Sequence, residues 1–581
     1  MRNKPMLLLM ATAGLLIVQG CKRTELKKPE AAQTFVNNKK NASAPSNHGT
    51  FYISNVNSGK VIEVKSTSQL VDGEAIQQNP YSGSGTATAP NQKWILIQQG
   101  TGSITSTTKF KIMSVVSGKY IEVPLAGTSP GTQMWQDKAN TNNAQQWYIQ
   151  LVATNKYKIV NVGNGLVLAA NLTTNGAAIT QQTFVSGDTK QQWVLNSITA
   201  EAYRDDDVVN YFHRTASGTT VAWDQGNTIP LTYSGNNGKV IWVTGDAYNG
   251  SQLNGNQKIN CGTFFMYRNS ALIQPASKSW DPALTTNITT TNSTVSPLEI
   301  MESPGAHGST YRWPGPGVEL SDKVYYFTYE SQYVSGSTTI PENQALYRLT
   351  QNTGSNAWGT ATRLTPAGMS GQTDIQYKEG MVKPGDGYVY VFGSKGIFFN
   401  TQNIYVARFA TGTPTTWQFW NGTAWTSTRT NAAAAIIHVG SGDYTQQNVN
   451  ISYVNGKYVL VQLDLGFFCD PASHDVYIST SATPTGPFTA PQKVFTIQDK
   501  YTDGHLAKYY TPALHPEFNN SSNELLLTYS LNYFGNNYDP DGAGPLPPTN
   551  CSTSYCAGTT DQDPNFYQLK AVRIPYSLVG L

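Results

Sequence analysis

The sequence predicts an almost wholly β-stranded chain, a threefold-repeated module followed by a fivefold ring of sheets, and three observations carry that prediction. Charged residues make up only 13% of the 581 positions while Gly (51), Tyr (33) and Trp (12) are plentiful, a mix suited to short strands joined by many turns. One strand–turn–strand unit recurs three times between residues 51 and 195, each copy followed by Gln-x-Trp. A different turn-plus-strand unit recurs five times beyond residue 200. The chain is too long for one hydrophobic core, so two or more domains are expected.

The three early copies are FYISNVNSGKVIEV (51–64), FKIMSVVSGKYIEV (110–123) and YKIVNVGNGLVLAA (157–170), followed by Gln92-Lys93-Trp94, Gln145-Gln146-Trp147 and Gln191-Gln192-Trp193. Three short-strand units sharing one core imply pseudo-threefold symmetry, with each Trp plugging the common interior. Residues 49–198 thus read as a β-trefoil, and they resemble the ricin-B-type lectin and carbohydrate-binding modules. The resemblance implies sugar binding at shallow pockets, with Glu63, Asn91 and Gln92 in the first repeat and Glu122, Trp135 and Gln145 in the second. The family more often carries Asp where this chain has Glu63 and Glu122. The third repeat has Ala169 at that place and reads as structural.

The five later copies are NNGKVIWVTGD (236–246), LSDKVYYFTYE (320–330), GDGYVYVFGS (385–394), VNGKYVLVQLD (454–464) and SSNELLLTYSLN (521–532), about 65 to 85 residues apart. That spacing suits a four-stranded propeller blade with elaborated loops. Residues 205–581 are therefore expected to form a five-bladed β-propeller, the closing segment FYQLKAVRIPYSL (566–578) supplying a strand that completes the ring.

Aligned on their turns, the copies leave the apolar strand on Asp246, Glu330, Ser394, Asp464 and Asn532. The preceding strands begin near Asp224, Arg312, Asp374, Gln447 and Tyr510, and if those strands line the axis, these residues ring one mouth of a central funnel. In the first unit the turn SGNNGK (234–239) makes NTIPLTY and KVIWVTG a hairpin, with Asp224 and Asp246 at its open end. A carboxyl pair is what glycosidic cleavage needs, one protonated to serve the leaving oxygen and one ionised to attack or to activate water. Like charges held close push one pKa up, so the pair divides those roles without a metal. Turn grammar is the competing reading, since Asp224 stands two residues before Gly226 and Asp246 directly follows Gly245. Arg312 and Asp374 are candidates to hold sugar hydroxyls, Trp313 a stacking face, Tyr510 part of the rim and His515 an orienting group.

The segments WDQGN (223–227), VIWVTGDAY (240–248), YRWPGPGVEL (311–320), SATPTGPF (481–488) and YYTPALHPEF (509–518) are similar to bacterial secreted five-bladed propellers that include the endo-D-arabinanase glycoside hydrolases. The resemblance implies glycoside hydrolysis of a polysaccharide, with an arabinan-like substrate as the example it offers, and catalytic roles for Asp224 and Asp246. This chain reads TGDAY where relatives commonly read FGDTF, which keeps the acid and changes its neighbours. Two rivals stand beside that reading: a glycan-binding protein without catalysis, and a polysaccharide lyase using Tyr510 or His515 as base.

At the N-terminus, Arg2 and Lys4 precede MLLLMATAGLLIV (6–18), a run suited to the apolar region of a signal peptide. Val18-Gln19-Gly20-Cys21 resembles a bacterial lipobox, which implies that residues 1–21 are a lipoprotein signal and that Cys21 carries a membrane anchor in the cell envelope. Residues 22–48 read as a flexible tether. Cys261, Cys469, Cys551 and Cys556 are disulfide candidates with three possible connectivities, and no CxxC or nearby His suggests zinc. The net charge of +3 and the lack of a basic patch argue against nucleic acid. A monomer without cofactor or metal is expected.

Overall fold

A computed structural model describes residues 46–581 except 66–68, 84–88, 101–102, 260–266, 292–297, 302–309, 335–337, 342–344, 370–373, 398–399, 430–435, 439–447, 464–473, 498–508, 521, 533–563 and 565–566. The signal and anchor at Cys21, Asp464, and Cys261, Cys469, Cys551 and Cys556 lie outside the described residues.

Six strands close the first module into a barrel: Ser46–Asn55, Trp94–Gln98, Lys109–Ser114, Trp147–Ala153, Lys156–Asn161 and Trp193–Ile198, each paired with the next and the last with the first. The first strand begins at Ser46, inside the stretch read as tether, because Ser46 and Asn47 pair through their backbones with Gln98 and Ile97, which composition cannot reveal. Three hairpins cap the barrel, formed by Val61–Val64 with Ile76–Asn79, Tyr120–Glu122 with Trp135–Asp137, and Val167–Ala169 with Thr180–Gln182. This is a β-trefoil, and its repeats are equivalent down to single hydrogen bonds. Trp94, Trp147 and Trp193 are all fully buried, and their Nε1 atoms donate to the carbonyls of Ile62, Ile121 and Leu168 at 3.0, 3.1 and 3.0 Å. The indole N–H finds its partner at the same place each time, so a large apolar ring can fill the axis with no orphan donor.

The remainder forms five antiparallel blades of four to six strands each among the described residues. Their inner strands are Asn227–Pro230, Thr310–Leu320, Ile375–Val382, Asn448–Val454 and Tyr509–His515, and each five-copy repeat supplies the strand beside one of them. Neighbouring blades share an apolar core: Ile241 with Tyr326, Phe327 with Tyr377, Phe392 with Leu460, Val461 with Leu527, and Leu526 with Trp242, which closes the circle. Ring closure differs from the expectation. Tyr567–Pro575 is the third strand of the last blade, and its outermost strand is Tyr203–Arg204 from the start of the ring. Joining the two ends of the chain in one sheet removes an open edge.

The trefoil packs on this closing strand. Tyr203 is buried among Ile95, Ile97, Met113, Val115 and Tyr120. Lys119 of the trefoil, also buried, sits 2.7 Å from Asp72 and 3.1 Å from Asp206, the first residue of the helix Asp206–Phe212.

Candidate functional site

All five inner strands contribute to one central cavity, open to solvent, lined among others by Gln225, Trp313, Gln376, Glu379, Asn448 and Thr511. Its geometry comes from broken ladders. The inner strands of the second, third and fifth blades bulge between Pro314 and Gly317, Gln376 and Gly380, and Tyr510 and Ala513. In the first blade Asp224-Gln225-Gly226 interrupts the pairing between Trp223 and Asn227. A bulge turns a strand and re-aims its side chains, so polar groups that would alternate toward the inter-blade cores face the axis instead.

The bulges explain a shift between expectation and structure. Asp224, Arg312, Asp374 and Tyr510 do not line the cavity; the residues one or two places further along do. Side chains on a strand alternate between faces, so a displacement of one residue exchanges axis for blade interior. Arg312 lies 3.2 Å from Glu330, a buried carboxylate that also accepts from Arg363 at 2.7 Å and from the Tyr347 hydroxyl at 2.8 Å. Burial opposes ionisation of Glu330, but these donors win and hold its carboxyl below the usual range. Asp374 accepts from Arg429 at 2.7 Å. His515 is corrected most firmly: it is 0% exposed, its Nδ1 lies 2.6 Å from the Thr228 hydroxyl and its Nε2 2.7 Å from that of Thr528, in the core beside Trp242. A histidine so enclosed is a structural bridge between blades, with no path to a sugar.

Asp224 and Asp246 do meet. The Asp224 N–H donates to the Asp246 carbonyl at 3.0 Å, and the Gly245 N–H returns the bond to the Asp224 carbonyl at 2.9 Å. Asp224 is buried, and its Oδ2 accepts from the hydroxyls of Tyr510 and, at 2.8 Å, Tyr567. Burial, and then the charge of Asp246, push its carboxyl up to about 7 despite those two donors. Asp246 is more open and accepts from Trp313 Nε1 at 2.8 Å and from Arg268 at 3.3 Å. The pair therefore stands one residue behind the cavity wall, Asp224 beside Gln225 and Asp246 bonded to Trp313. Trp313 faces the cavity with its ring parallel to Tyr329, centroids 5.9 Å apart.

Several lining residues escaped the sequence reading. Glu379 is buried in the wall, accepting from Lys378 at 2.8 Å and the Ser394 hydroxyl at 2.5 Å. Its only signal was a Lys-Glu pair inside an otherwise apolar inner strand. Tyr567 and Arg268, which hold the aspartates, sit outside any repeat and gave none.

In the trefoil, Glu63 accepts from the side-chain amides of Gln92 at 2.8 Å, Gln77 at 2.7 Å and Asn79, while Asn91 donates to the Val64 carbonyl at 3.0 Å. Glu122 accepts from Gln145 at 2.6 Å and Asn140 at 2.9 Å, opposite Trp135 in the hairpin. Burial raises the Glu122 carboxyl, and burial with the charges of Asp72 and Glu122 pushes Asp137 up to about 6. The carboxylates of Glu63 and Glu122 are each oriented by the Gln of Gln-x-Trp, so that residue is scaffold for the pocket. Ala169 of the third repeat is fully buried.

Residues 205–568 match the model of a family described as a domain of unknown function, DUF5005, and residues 90–182 match that of the ricin-type β-trefoil lectin domain-like family. No curated protein matches the chain. Among solved structures, a Bacteroides ovatus protein described as "a putative hydrolase" is 17% identical, with 64% of this chain and 90% of that one covered and a TM-score of 0.47. ThreeFoil, a designed threefold-symmetric protein, is 30% identical over 26% of this chain and 99% of its own, with a TM-score of 0.23. An exo-β-1,3-galactanase from Clostridium thermocellum is 27% identical over 26% of this chain and 30% of its own, with a TM-score of 0.23.

Proposed function

The chain belongs to the DUF5005 family, and from the geometry of its funnel we propose that it is a glycoside hydrolase whose trefoil module holds it on a polysaccharide. The observation that carries this reading is the Asp224–Asp246 pair: two carboxyl groups on opposed backbone positions, in unequal environments, at the edge of a polar cavity with an aromatic wall. Asp224, buried and pushed up to about 7, is the acid that protonates the leaving oxygen. Asp246, facing an indole N–H and a guanidinium, is the carboxylate that attacks or activates water.

The cavity supports a sugar ligand for the same physical reasons. Gln225, Gln376, Asn448 and Asn450 offer both donors and acceptors to hydroxyl groups, and the Trp313 ring offers a flat apolar face. Lys378 and Glu379 neutralise each other in the wall. The trefoil adds a second attachment point at Glu122 and Trp135, and linking two sites on one chain raises the effective concentration of polymer at the funnel. Resemblance to endo-D-arabinanases makes arabinan the first substrate to try, and the lipobox-like segment ending at Cys21 suggests attachment to the cell envelope.

A second reading, glycan binding without catalysis, is favoured by one observation: Asp224 is covered by Tyr510 and Tyr567 and does not line the cavity. Incubating the protein with arabinans, galactans and related polymers, and measuring reducing-end release beside the Asp224→Asn, Asp246→Asn double variant, separates the two. Release by the native protein alone supports hydrolysis; binding with no release by either supports the lectin-like reading. The lyase reading has lost its support, because His515 is enclosed and the Tyr510 hydroxyl is committed to Asp224.

A further inference from the structure

Asp224 Oδ1 is a buried oxygen with no hydrogen-bond partner among the described residues. The next residue along, Gln225, is only partly buried. A Cβ placed on Gly245 would stand 2.5 Å from Asp224 Oδ1 and 3.0 Å from Gln225 Cδ, so the carboxyl oxygen and the carboxamide converge on one point of the backbone. Glycine at 245 is what allows that approach. Gln225 lines the cavity, whereas Asp224 does not.

The backbone of Gln225 is held in an unusual state. Its φ is +54°, in the left-handed region, and so is that of Thr511 across the same wall, at +47°. Left-handed backbone costs roughly 1–2 kcal/mol for an L-residue and is rarest for a β-branched one. Both residues are anchored by one hydroxyl: Ser530 Oγ accepts the Gln225 N–H at 2.9 Å and lies 2.6 Å from Thr511 Oγ1. Ser530 is fully buried. Strain that a surrounding structure enforces on two lining residues at once is a marker of a functional wall.

We propose that Gln225 is the cover of Asp224, a positioning residue latched by Ser530, whose carboxamide closes the acid off from the funnel until a sugar oxygen displaces it. The proposal rests on the reading of Asp224 as the general acid. The groups that face Asp224 are Tyr510 and Tyr567 of the last blade and Asp246 and Tyr248 of the first, with Arg268 behind Asp246. None of these is altered by changing Gln225, so such a variant isolates the effect of water on the acid.

The test is the titration of Asp224 in the full chain without substrate, by carboxyl infrared difference spectra assigned with Asp224→Asn. In Gln225→Ala the midpoint is expected to fall by about one pH unit or more, since burial is the largest cause of its elevation. Should Gln225→Ala not fold, Gln225→Gly suits the left-handed backbone and gives the same reading. Ser530→Ala, which frees the latch, is expected to move the midpoint in the same direction by less. An unchanged midpoint in the folded Gln225 variant overturns the cover. Because this readout needs no turnover, a native protein that cleaves nothing would refute the hydrolase reading alone.

Discussion

Asp224 and Asp246 are joined through their backbones, the N–H of one bonded to the carbonyl of the other at 3.0 Å, while their side chains lie in different surroundings. The backbone bond brings two acids together, and the surroundings divide them. Tyr510 and Tyr567 enclose Asp224, whereas Trp313 and Arg268 serve Asp246.

That division has a signature in stability. Asp224 titrates at about 7 in the fold, above the value near 3.9 of an unfolded aspartate. The folded chain therefore holds a proton that the unfolded chain has already lost, and stability falls as pH rises from about 4 to 7. Asp224→Asn removes this liability. Urea unfolding should show the variant more stable than the native protein by roughly 1–4 kcal/mol at pH 8, with most of the difference gone at pH 4.

The junction between modules has the opposite sign. Burial opposes the charge on Asp206, yet Lys119 and Arg204 outweigh it and hold the carboxyl down to about 2. Its contribution is present above pH 4 and is lost as pH falls from about 4 to 2. Lys119→Ala leaves Asp206 and Asp72 short of a buried partner and should cost roughly 3–5 kcal/mol at pH 7. A loss under about 0.5 kcal/mol would mean that the junction does not depend on this ion.

His515 is expected to matter for folding only. Replacing it with Ala removes bonds to Thr228 and Thr528 and opens a hole beside Trp242, at a cost of roughly 2–4 kcal/mol. Oligosaccharide affinity of the folded variant, measured by calorimetry, should match that of the native protein within a factor of about two, well under the tenfold that 1.4 kcal/mol gives.

For the trefoil, Trp135→Ala and Glu122→Gln should each reduce retention on insoluble polysaccharide, while leaving release from a short soluble oligosaccharide unchanged. Glu63→Gln should have the weaker effect on retention, because three amides already occupy that carboxylate. Retention by all three variants equal to that of the native protein would remove the second attachment point.

The parts of this fold that were legible in the sequence are those that repeat. Gln-x-Trp marks a threefold core because the same indole must fill the same place three times. Five turns ahead of five apolar strands mark the blades because each blade needs one fully buried strand. The closing strand Tyr203–Arg204 was not legible, since two residues carry no periodicity. The funnel wall was misplaced by one or two residues because bulges at Pro314, Gln376 and Tyr510 interrupt the alternation on which such counting rests. Gln225 and Tyr567 were missed for the related reason that their roles depend on contacts across blades.

The central claim is that Asp224 and Asp246 act as acid and base on a bound glycan, and single-substitution kinetics test it most directly. On the polymer that the native protein cleaves, Asp224→Asn and Asp246→Asn should each lower reducing-end release on the order of 10²–10⁴-fold while binding of the same oligosaccharide persists. Release by both variants at the native rate would contradict the claim and return the funnel to the role of a sugar-binding cavity.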